Sequence, residues 1–441
     1  MMTVRIIALA LVSLVFSVGC PANGDRRPSA AGEDPSEMGL STDETRRGWP
    51  GWGGPTQDFQ LPTKGLADIW TSMGPTTVWR RDLGAGYSAV VVAGGKLFTL
   101  YREGDQDVVV ALRAEDGVEE WSRRYEAPAH DGNVLQFGTG PNATPLILGD
   151  RLITLSYSGL LHCMAIEDGE ILWSHDLVPD LGATVLDFGF SASPIEHDGN
   201  VIVLVGGAQM AVAAFDPVDG SVVWASEPGS VSYASPAVID VDGQEQLVYF
   251  SADEIIGVDA SDGARLWSHP SVNQWKNNST APVWGEDNLL WVATQPDGGT
   301  RVLRLALADD GLTQVTELWA NRQVSIHYWN SIRIDDTFYA SIGNNGSILA
   351  AIDAETGEIL WKERGFSQAN FVHIGDKTLF LDQHGNLALV RLGRDGLKIL
   401  SRATISDEKT WTAPTLVGTR LYVRDTGALQ VFELAATNGP P

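Results

Sequence analysis

An all-β fold, and within it an eight-bladed β-propeller of four-stranded antiparallel blades, is predicted by three features of this 441-residue sequence. A hairpin with the same turn chemistry recurs along the chain. Strands that carry a Trp or a related apolar residue follow at intervals of 39 to 52 residues, and helical periodicity is hard to find after the N-terminus. Intervals of this length are typical of one propeller blade.

The repeated hairpin is clearest at residues 350–361, which read A-A-I-D-A-E-T-G-E-I-L-W. An apolar strand ends at Asp353, residues 354–357 carry turn chemistry, and a second strand resumes at Glu358. Other copies place Gly four residues before Trp, at Gly117/Trp121, Gly169/Trp173, Gly220/Trp224 and Gly263/Trp267. Ten residues before each Trp is a small side chain, namely Ala111, Cys163, Ala214, Gly257 and Ala351. This pattern predicts that each indole lies against closely approaching backbone.

Eight strands occupy the Trp position, counting two degenerate hairpins, Gly311/Trp319 and Gly396/Leu400. They carry Trp79, Trp121, Trp173, Trp224, Trp267, Trp319, Trp361 and Leu400. The strand of Trp79 has no hairpin before it, and the last repeat has three strands, at residues 412–417, 420–424 and 428–434. We therefore expect the N-terminal strand to complete the C-terminal blade, which would remove exposed sheet edges.

The first 75 residues are predicted to form three segments before the propeller at 76–441. Residues 1–19 combine a basic start with a short apolar run, as in an export signal, and Ser17-Val18-Gly19-Cys20 resembles a bacterial lipoprotein signal with Cys20 as the lipidated residue. Plain secretion is the alternative, because Ser17 stands where Leu is usual. Residues 20–48 have the composition of a flexible tether, and residues 49–75 form an aromatic N-terminal segment. The chain is thus expected on the periplasmic face of the cell envelope, anchored to the membrane by lipid.

The charge of the chain argues against a nucleic-acid partner. It has 30 basic and 56 acidic residues, a net charge of −26, so it lacks the basic surplus that neutralises phosphates.

The one cysteine besides Cys20 is Cys163, which occupies a small-residue position of the repeat and is predicted to be a buried, inert thiol.

The form Ala-x-Asp-x-x-Thr-Gly-x-x-x-Trp at residues 351–361, echoed at 214–224 and 257–267, resembles the tryptophan-docking repeat of pyrroloquinoline-quinone (PQQ)-type propellers. The resemblance covers nearly everything after Thr76. It implies one of two branches: quinoprotein dehydrogenases, or non-catalytic lipoproteins similar to outer-membrane protein assembly factor B. Both branches share the repeat, so the repeat does not choose between them.

Residues just before the innermost strand of each blade are predicted to line a central funnel. The best candidates for a ligand-binding rim are Trp275, Lys276, Asn277, Asn278, His327, Tyr328, Trp329, Asn330 and Trp411. Other rim positions are Tyr87, Asn142, Phe190, Tyr233, Gln368 and Asn370. Their aromatic and amide groups are suited to a peptide edge, a sugar or a planar cofactor, although aromatics at blade junctions more often fill the channel.

Neither catalytic residues nor a metal site is predicted. A quinoprotein site needs Ca²⁺ held by acidic and amide oxygens together with a carboxylate base, and the predicted rim offers amides but few acids. Lys276 and Asn278 could still contact an anionic quinone. The acidic turns 216–220, 259–263 and 353–357 suit hairpin capping better than Ca²⁺ binding.

The leading functional hypothesis is a non-enzymatic, lipid-anchored scaffold that binds envelope proteins or glycans through its funnel face. Assembly of outer-membrane proteins is one version of this hypothesis, implied by the resemblance alone. The alternatives are a PQQ- and calcium-dependent alcohol or sugar dehydrogenase and a polysaccharide-binding propeller that uses the rim tryptophans Trp275 and Trp329.

Overall fold

The computed structural model describes residues 48–62, 65–71, 74–285, 287–294, 298–343 and 348–435. These residues form eight four-stranded antiparallel blades, which confirms the predicted propeller. The predicted signal, Cys20 and all of the tether but Gly48 lie outside the described residues. Within the described part of the chain, no helix has the length and apolar character needed to span a membrane.

Two strands precede the first blade, β1 (Gln60–Leu61) and β2 (Thr76–Asp82). Blades 1 to 4 consist of β3 (Val91–Ala93), β4 (Lys96–Glu103), β5 (Gln106–Arg113) and β6 (Glu119–Glu126); β7 (Leu146–Leu148), β8 (Arg151–Leu155), β9 (Leu160–Ala165) and β10 (Ile171–Asp176); β11 (Ile195–His197), β12 (Asn200–Leu204), β13 (Val212–Phe215) and β14 (Val222–Ala225); and β15 (Ala237–Val241), β16 (Gln244–Phe250), β17 (Glu254–Asp259) and β18 (Arg265–Pro270). A one-turn helix, α1 (Leu177–Leu181), follows β10 and is capped by the Asp176 side chain.

Blades 5 to 7 consist of β19 (Val283–Gly285), β20 (Leu289–Thr294), β21 (Gly299–Leu307) and β22 (Thr313–Asn321); β23 (Ile332–Ile334), β24 (Thr337–Ile342), β25 (Ile348–Asp353) and β26 (Ile359–Arg364); and β27 (Ala369–Ile374), β28 (Lys377–Asp382), β29 (Asn386–Gly393) and β30 (Gly396–Thr404). Blade 8 combines β31 (Thr415–Val417), β32 (Arg420–Arg424) and β33 (Ala428–Glu433) with β2. Strand β2 pairs antiparallel with β33 from Thr76↔Glu433 to Asp82↔Ala428, as the sequence predicts for ring closure.

The indole of each docking Trp packs against the next blade. The indole N–H of Trp79 donates to the Ala114 carbonyl oxygen at 3.1 Å, and that of Trp319 donates to the Ala354 oxygen at 2.9 Å. At five of these interfaces the Gly of the hairpin turn in the next blade lies under the ring; a Cβ on Gly357, for example, would approach Trp319 to 2.5 Å. The Gly and the Trp of one hairpin therefore contribute to two different blade interfaces: the Gly contacts the indole of the preceding blade, and the Trp packs against the following blade.

The small residue ten positions before each Trp is its partner on the neighbouring strand. The register pairs Ala111 with Trp121, Cys163 with Trp173 and Ala351 with Trp361. Small side chains at these positions allow the strand to pass close to the indole. Cys163 is fully buried, and burial raises the pKa of its thiol to about 12, in agreement with the prediction of an inert thiol.

The aromatic N-terminal segment packs across one end of the central channel. At this end, each blade turns from its first strand into its second. Trp49 pairs with Val92 of blade 1, the Pro50 carbonyl accepts from Ile147 N–H of blade 2, and β1 adds in parallel to β27 of blade 7. Trp49 and Phe59 are buried, with their ring centroids 6.0 Å apart. The channel is thus closed at this end by the chain itself, an arrangement that the sequence did not reveal.

Candidate functional site

A cavity of about 190 Å³ opens at the other end of the channel, where the loops between blades lead into the innermost strands. Its floor includes Trp52 of the N-terminal segment, and every blade contributes to its wall. The lining residues are mostly aromatic, amide and hydroxyl side chains: Trp52, Tyr87, Phe137, Asn142, Tyr157, Phe188, Ser191, Ser193, Tyr233, Ser235, Asn277, Ser279, Tyr328, Asn370, Trp411 and Thr412, with Ala89, Gly138 and Ala413. We refer to this cavity as the funnel.

In the loop before blade 5, only Asn277 of the four candidate residues lines the funnel. Trp275 is 66% exposed on the outer rim, and Lys276 pairs with Asp253 at 3.2 Å, with a side chain that is 64% exposed. Asn278 is fully buried; its amide nitrogen donates to the Ser251 carbonyl at 3.0 Å, and its backbone N–H donates to Ser232 Oγ at 2.8 Å. Asn278 therefore joins blades 4 and 5 and does not face a ligand.

In the loop before blade 6, only Tyr328 lines the funnel. His327 packs edge-on against Tyr328 at 4.9 Å, and partial burial lowers the pKa of its imidazole. Trp329 is 1% exposed, so it cannot serve as the glycan platform that the polysaccharide hypothesis assigns to it. Asn330 exchanges hydrogen bonds with the backbone of Phe371, donating at 2.9 Å and accepting at 2.8 Å, and so fastens blade 6 to blade 7.

Five of the remaining predicted rim positions line the funnel: Tyr87, Asn142, Tyr233, Asn370 and Trp411. Trp411 is at the centre of this set. Its ring stacks on Tyr87 at 5.4 Å and contacts Phe137 at 5.5 Å, and the Lys409 ammonium lies 4.0 Å from its centroid. The other two positions are used differently, since Phe190 packs on Gly159 and Gln368 donates to the Gly343 carbonyl.

Several lining residues were missed because they lie on other loops or on the N-terminal segment. Phe137 and Phe188 precede the blade junctions by several residues, and Tyr157 lies in the turn between β8 and β9. Two of the lining serines could have been found from the sequence, because Ser193 and Ser235 each stand directly before a Pro that precedes an innermost strand. No pattern in the sequence indicated that Trp52 would form the floor.

The lining residues of the funnel are themselves uncharged, because none of those described has a carboxylate, an ammonium or a guanidinium group; Lys409, whose ammonium lies against the Trp411 ring, is not a lining residue. Burial raises the pKa of the Tyr233 phenol to about 12 and also raises the pKa values of Tyr87, Tyr157 and Tyr328. These phenols therefore stay protonated at any physiological pH and can donate hydrogen bonds.

These residues do not fit PQQ with Ca²⁺. The quinone is an anion, and its Ca²⁺ needs carboxylate ligands, yet the described lining offers neither a cation nor a carboxylate. The two residues that could have contacted the quinone, Lys276 and Asn278, face elsewhere. At about 190 Å³ the cavity is also smaller than the ~300–1,000 Å³ of ordinary small-molecule sites.

The acidic hairpin turns use their carboxylates to cap backbone N–H groups. Asp216 accepts from Val218 N–H at 2.7 Å, and Asp353 accepts from Thr356 N–H at 2.8 Å. Among the described residues, one group of three potential metal ligands has its donor atoms within 4.8 Å of one another: His197, Asp198 and Glu245. It lies at the closed end of the channel, away from the funnel, and both of its carboxylates are exposed.

A family model described as outer membrane protein assembly factor BamB matches residues 131–363, more than half of the chain. This chain belongs to the BamB family. Among curated relatives, BamB of Yersinia pestis is 24% identical over 296 residues, covering 64% of this chain and 71% of the relative. Polyvinylalcohol dehydrogenase of a Sphingopyxis species is 20% identical over 265 residues, covering 54% of this chain but 36% of the relative.

Solved structures extend the likeness in fold to both branches. BamB from Moraxella catarrhalis superposes with a TM-score of 0.56 at 20% identity, covering 83% of this chain and 99% of that protein. Quinohemoprotein alcohol dehydrogenase from Comamonas testosteroni superposes with a TM-score of 0.61 at 12% identity, covering 91% and 82%. The propeller fold is therefore common to the BamB family and to quinohemoprotein alcohol dehydrogenases, so the fold alone does not choose between the two functions.

Proposed function

We propose that this protein is a non-enzymatic scaffold of the bacterial envelope that binds other envelope proteins through its funnel face, in the assembly of outer-membrane proteins. The observation that carries the proposal is an uncharged funnel in a chain of the BamB family. Acid–base catalysis needs a positioned titratable group near its working pKa, whereas the described lining contains only high-pKa phenols.

The rim around the funnel supports a protein partner. Val272 and Trp275 are 65% and 66% exposed on the loop before blade 5, and the Lys276–Asp253 ion pair lies beside them. An exposed Trp with apolar and charged neighbours has the composition of a small protein-binding patch, because aromatic anchors contribute most of the affinity at such interfaces.

The position of this scaffold is part of the proposal. We place it on the periplasmic face of the envelope, exported by residues 1–19 and held by a lipid on Cys20, with residues 20–48 as a tether. The support is the resemblance of residues 17–20 to a lipoprotein signal and the membership in a family named for outer-membrane protein assembly.

Site-specific photo-crosslinking in intact cells tests the proposal. A photoreactive residue at Trp275 is expected to yield discrete adducts with envelope proteins, because this side chain is exposed on the funnel face. The matched control is the same residue at Asp150, which is 54% exposed in a turn at the opposite end of the blades. Adducts that are missing at position 275, or identical at both positions, would contradict recognition through the funnel face.

A further inference from the structure

The funnel is a blind cavity, and this limits what can enter it. Trp52 closes its floor, and Phe59 packs edge-on against Trp52 with ring centroids 5.1 Å apart. A ligand can therefore insert only one end, and about 190 Å³ leaves room for a single ring-sized unit.

Residues with hydroxyl groups line this cavity, and some of these groups have hydrogen-bonding capacity to spare. Tyr157 lines the cavity and is 2% exposed; its hydroxyl is buried and has no partner among the described residues. Ser193 Oγ accepts from Thr144 N–H at 2.9 Å, and Ser235 Oγ accepts from Ser193 N–H at 2.9 Å. Both serine oxygens are used as acceptors in these contacts, so their protons can be donated to a ligand. A hydroxyl that is buried without a partner loses its hydrogen bonds to water on folding. A bound polar ligand would replace the lost hydrogen bond.

Aromatic rings form the wall above these hydroxyls. Neighbouring ring centroids lie 5.5 to 5.9 Å apart along a continuous series of Tyr328, Trp411, Phe137, Phe188 and Tyr233. The wall is apolar on its ring faces and carries polar tips, and the lining bears no charge.

We propose that the funnel binds one uncharged pyranose ring at the end of a glycan chain. A sugar ring has apolar C–H faces for the aromatic wall and hydroxyl or acetamido oxygens for the donors of Tyr157, Ser193 and Ser235. A charged sugar is disfavoured, because no lining group could compensate a desolvated charge. This site is additional to the proposed protein-binding function and does not depend on it.

Ligand-observed NMR with the detergent-solubilised full chain tests the proposal. Methyl β-glucoside and N-acetylglucosamine are the probes, and glucuronic acid, the same ring with a carboxylate, is the control ligand. We expect saturable binding of at least one neutral sugar and at least tenfold weaker binding of the acid. No saturable binding of either neutral sugar, or equal binding of the acid, would overturn the proposal.

Tyr157→Phe separates binding from folding. The variant keeps the ring and removes a hydroxyl that has no partner in the fold, so the unfolding temperature should not fall while sugar binding weakens about five- to tenfold. Tyr422→Phe makes the same change at a buried position in blade 8, outside the funnel, and should leave binding unchanged. Unaltered sugar binding by the Tyr157→Phe variant would exclude the site. Tighter binding of N-acetyl-tyrosine amide than of either sugar would also exclude it, and would assign the cavity to a side chain of a protein partner.

Discussion

Asp107 is a fully buried acid between the first two blades, and its surroundings oppose ionisation. Its carboxylate oxygens have no hydrogen-bond partner among the described residues, and its cross-strand neighbour is the buried phenol of Tyr125. Burial raises the pKa of Asp107 to about 7, against the opposing effect of Arg102, whose Nε lies 3.4 Å away. The His162 ring contacts Tyr125 at 4.5 Å, and burial lowers its pKa to about 4.

The pH dependence of stability follows from these shifts. Because the folded state holds the Asp107 proton more tightly than the unfolded state, Asp107 stabilises the fold fully below about pH 4 and loses this contribution as pH rises through 7. His162 acts in the opposite direction between about pH 4 and 6.5, since its folded-state pKa is depressed.

Asp107→Asn should remove the loss at high pH, because the amide cannot ionise. We expect the variant to be more stable than the wild type at pH 8, by at least ~1 kcal/mol, and closer to it at pH 5. Denaturant unfolding at both pH values measures the difference. Parallel pH profiles for the two proteins would show that Asp107 does not titrate between its folded and unfolded states in this range.

At the scale of single residues, the sequence predicted chemical type better than role. Asn278, Asn330 and Asn370 belong to the funnel region as expected, but the amides of Asn278 and Asn330 bond backbone across blade junctions and only Asn370 reaches the cavity. An Asn before a strand can face solvent or a neighbouring blade, and this choice depends on the rotation between blades, which sequence spacing does not encode.

At the scale of elements, the hairpin repeat was predictable because each copy repeats the same physical problem. At five interfaces the indole docks on the turn of the next blade, and a glycine with positive φ leaves room for the ring: Gly117, Gly169, Gly220, Gly263 and Gly357. The interface of blades 4 and 5 departs from this solution: Trp267 Nε1 donates to Gln246 Oε1 at 2.7 Å, and Gln246 donates to Thr313 Oγ1 at 2.7 Å. The hairpin turn around Gly311 in blade 5 is longer than the other turns, and the sequence already marked this hairpin as degenerate. The Trp267 indole therefore meets a different turn from the other docking indoles.

Gly357→Ala and Gly311→Ala form a matched pair for testing the docking. Both glycines have positive φ, at 69° and 81°, but an added Cβ meets the Trp319 ring at 2.5 Å in the first case and nothing within 4 Å in the second. Gly311→Ala should cost about 1 kcal/mol from backbone strain, and Gly357→Ala a further ~1–3 kcal/mol from overpacking. Denaturation midpoints compare the two variants, and equal losses would mean that the indole does not depend on this glycine.

At the scale of the whole molecule, ring closure and the blind funnel have different origins. Closure was predictable because an unpaired N-terminal strand and a three-stranded C-terminal repeat complement each other, as the pairing of β2 with β33 demonstrates. The floor of the funnel was not predictable. Trp52 is placed there by contacts of the N-terminal segment with blades 1, 2 and 7, and these blades are far apart in sequence.

In our proposal this propeller uses its funnel for recognition and not for a quinone cofactor. Calorimetric titration of the folded full chain with PQQ in the presence of Ca²⁺ distinguishes these two uses, with near-UV circular dichroism to verify packing. We expect no saturable heat, since the described lining residues offer no charge to hold either PQQ or Ca²⁺. Saturable one-to-one binding would contradict it and place this chain functionally with the dehydrogenases.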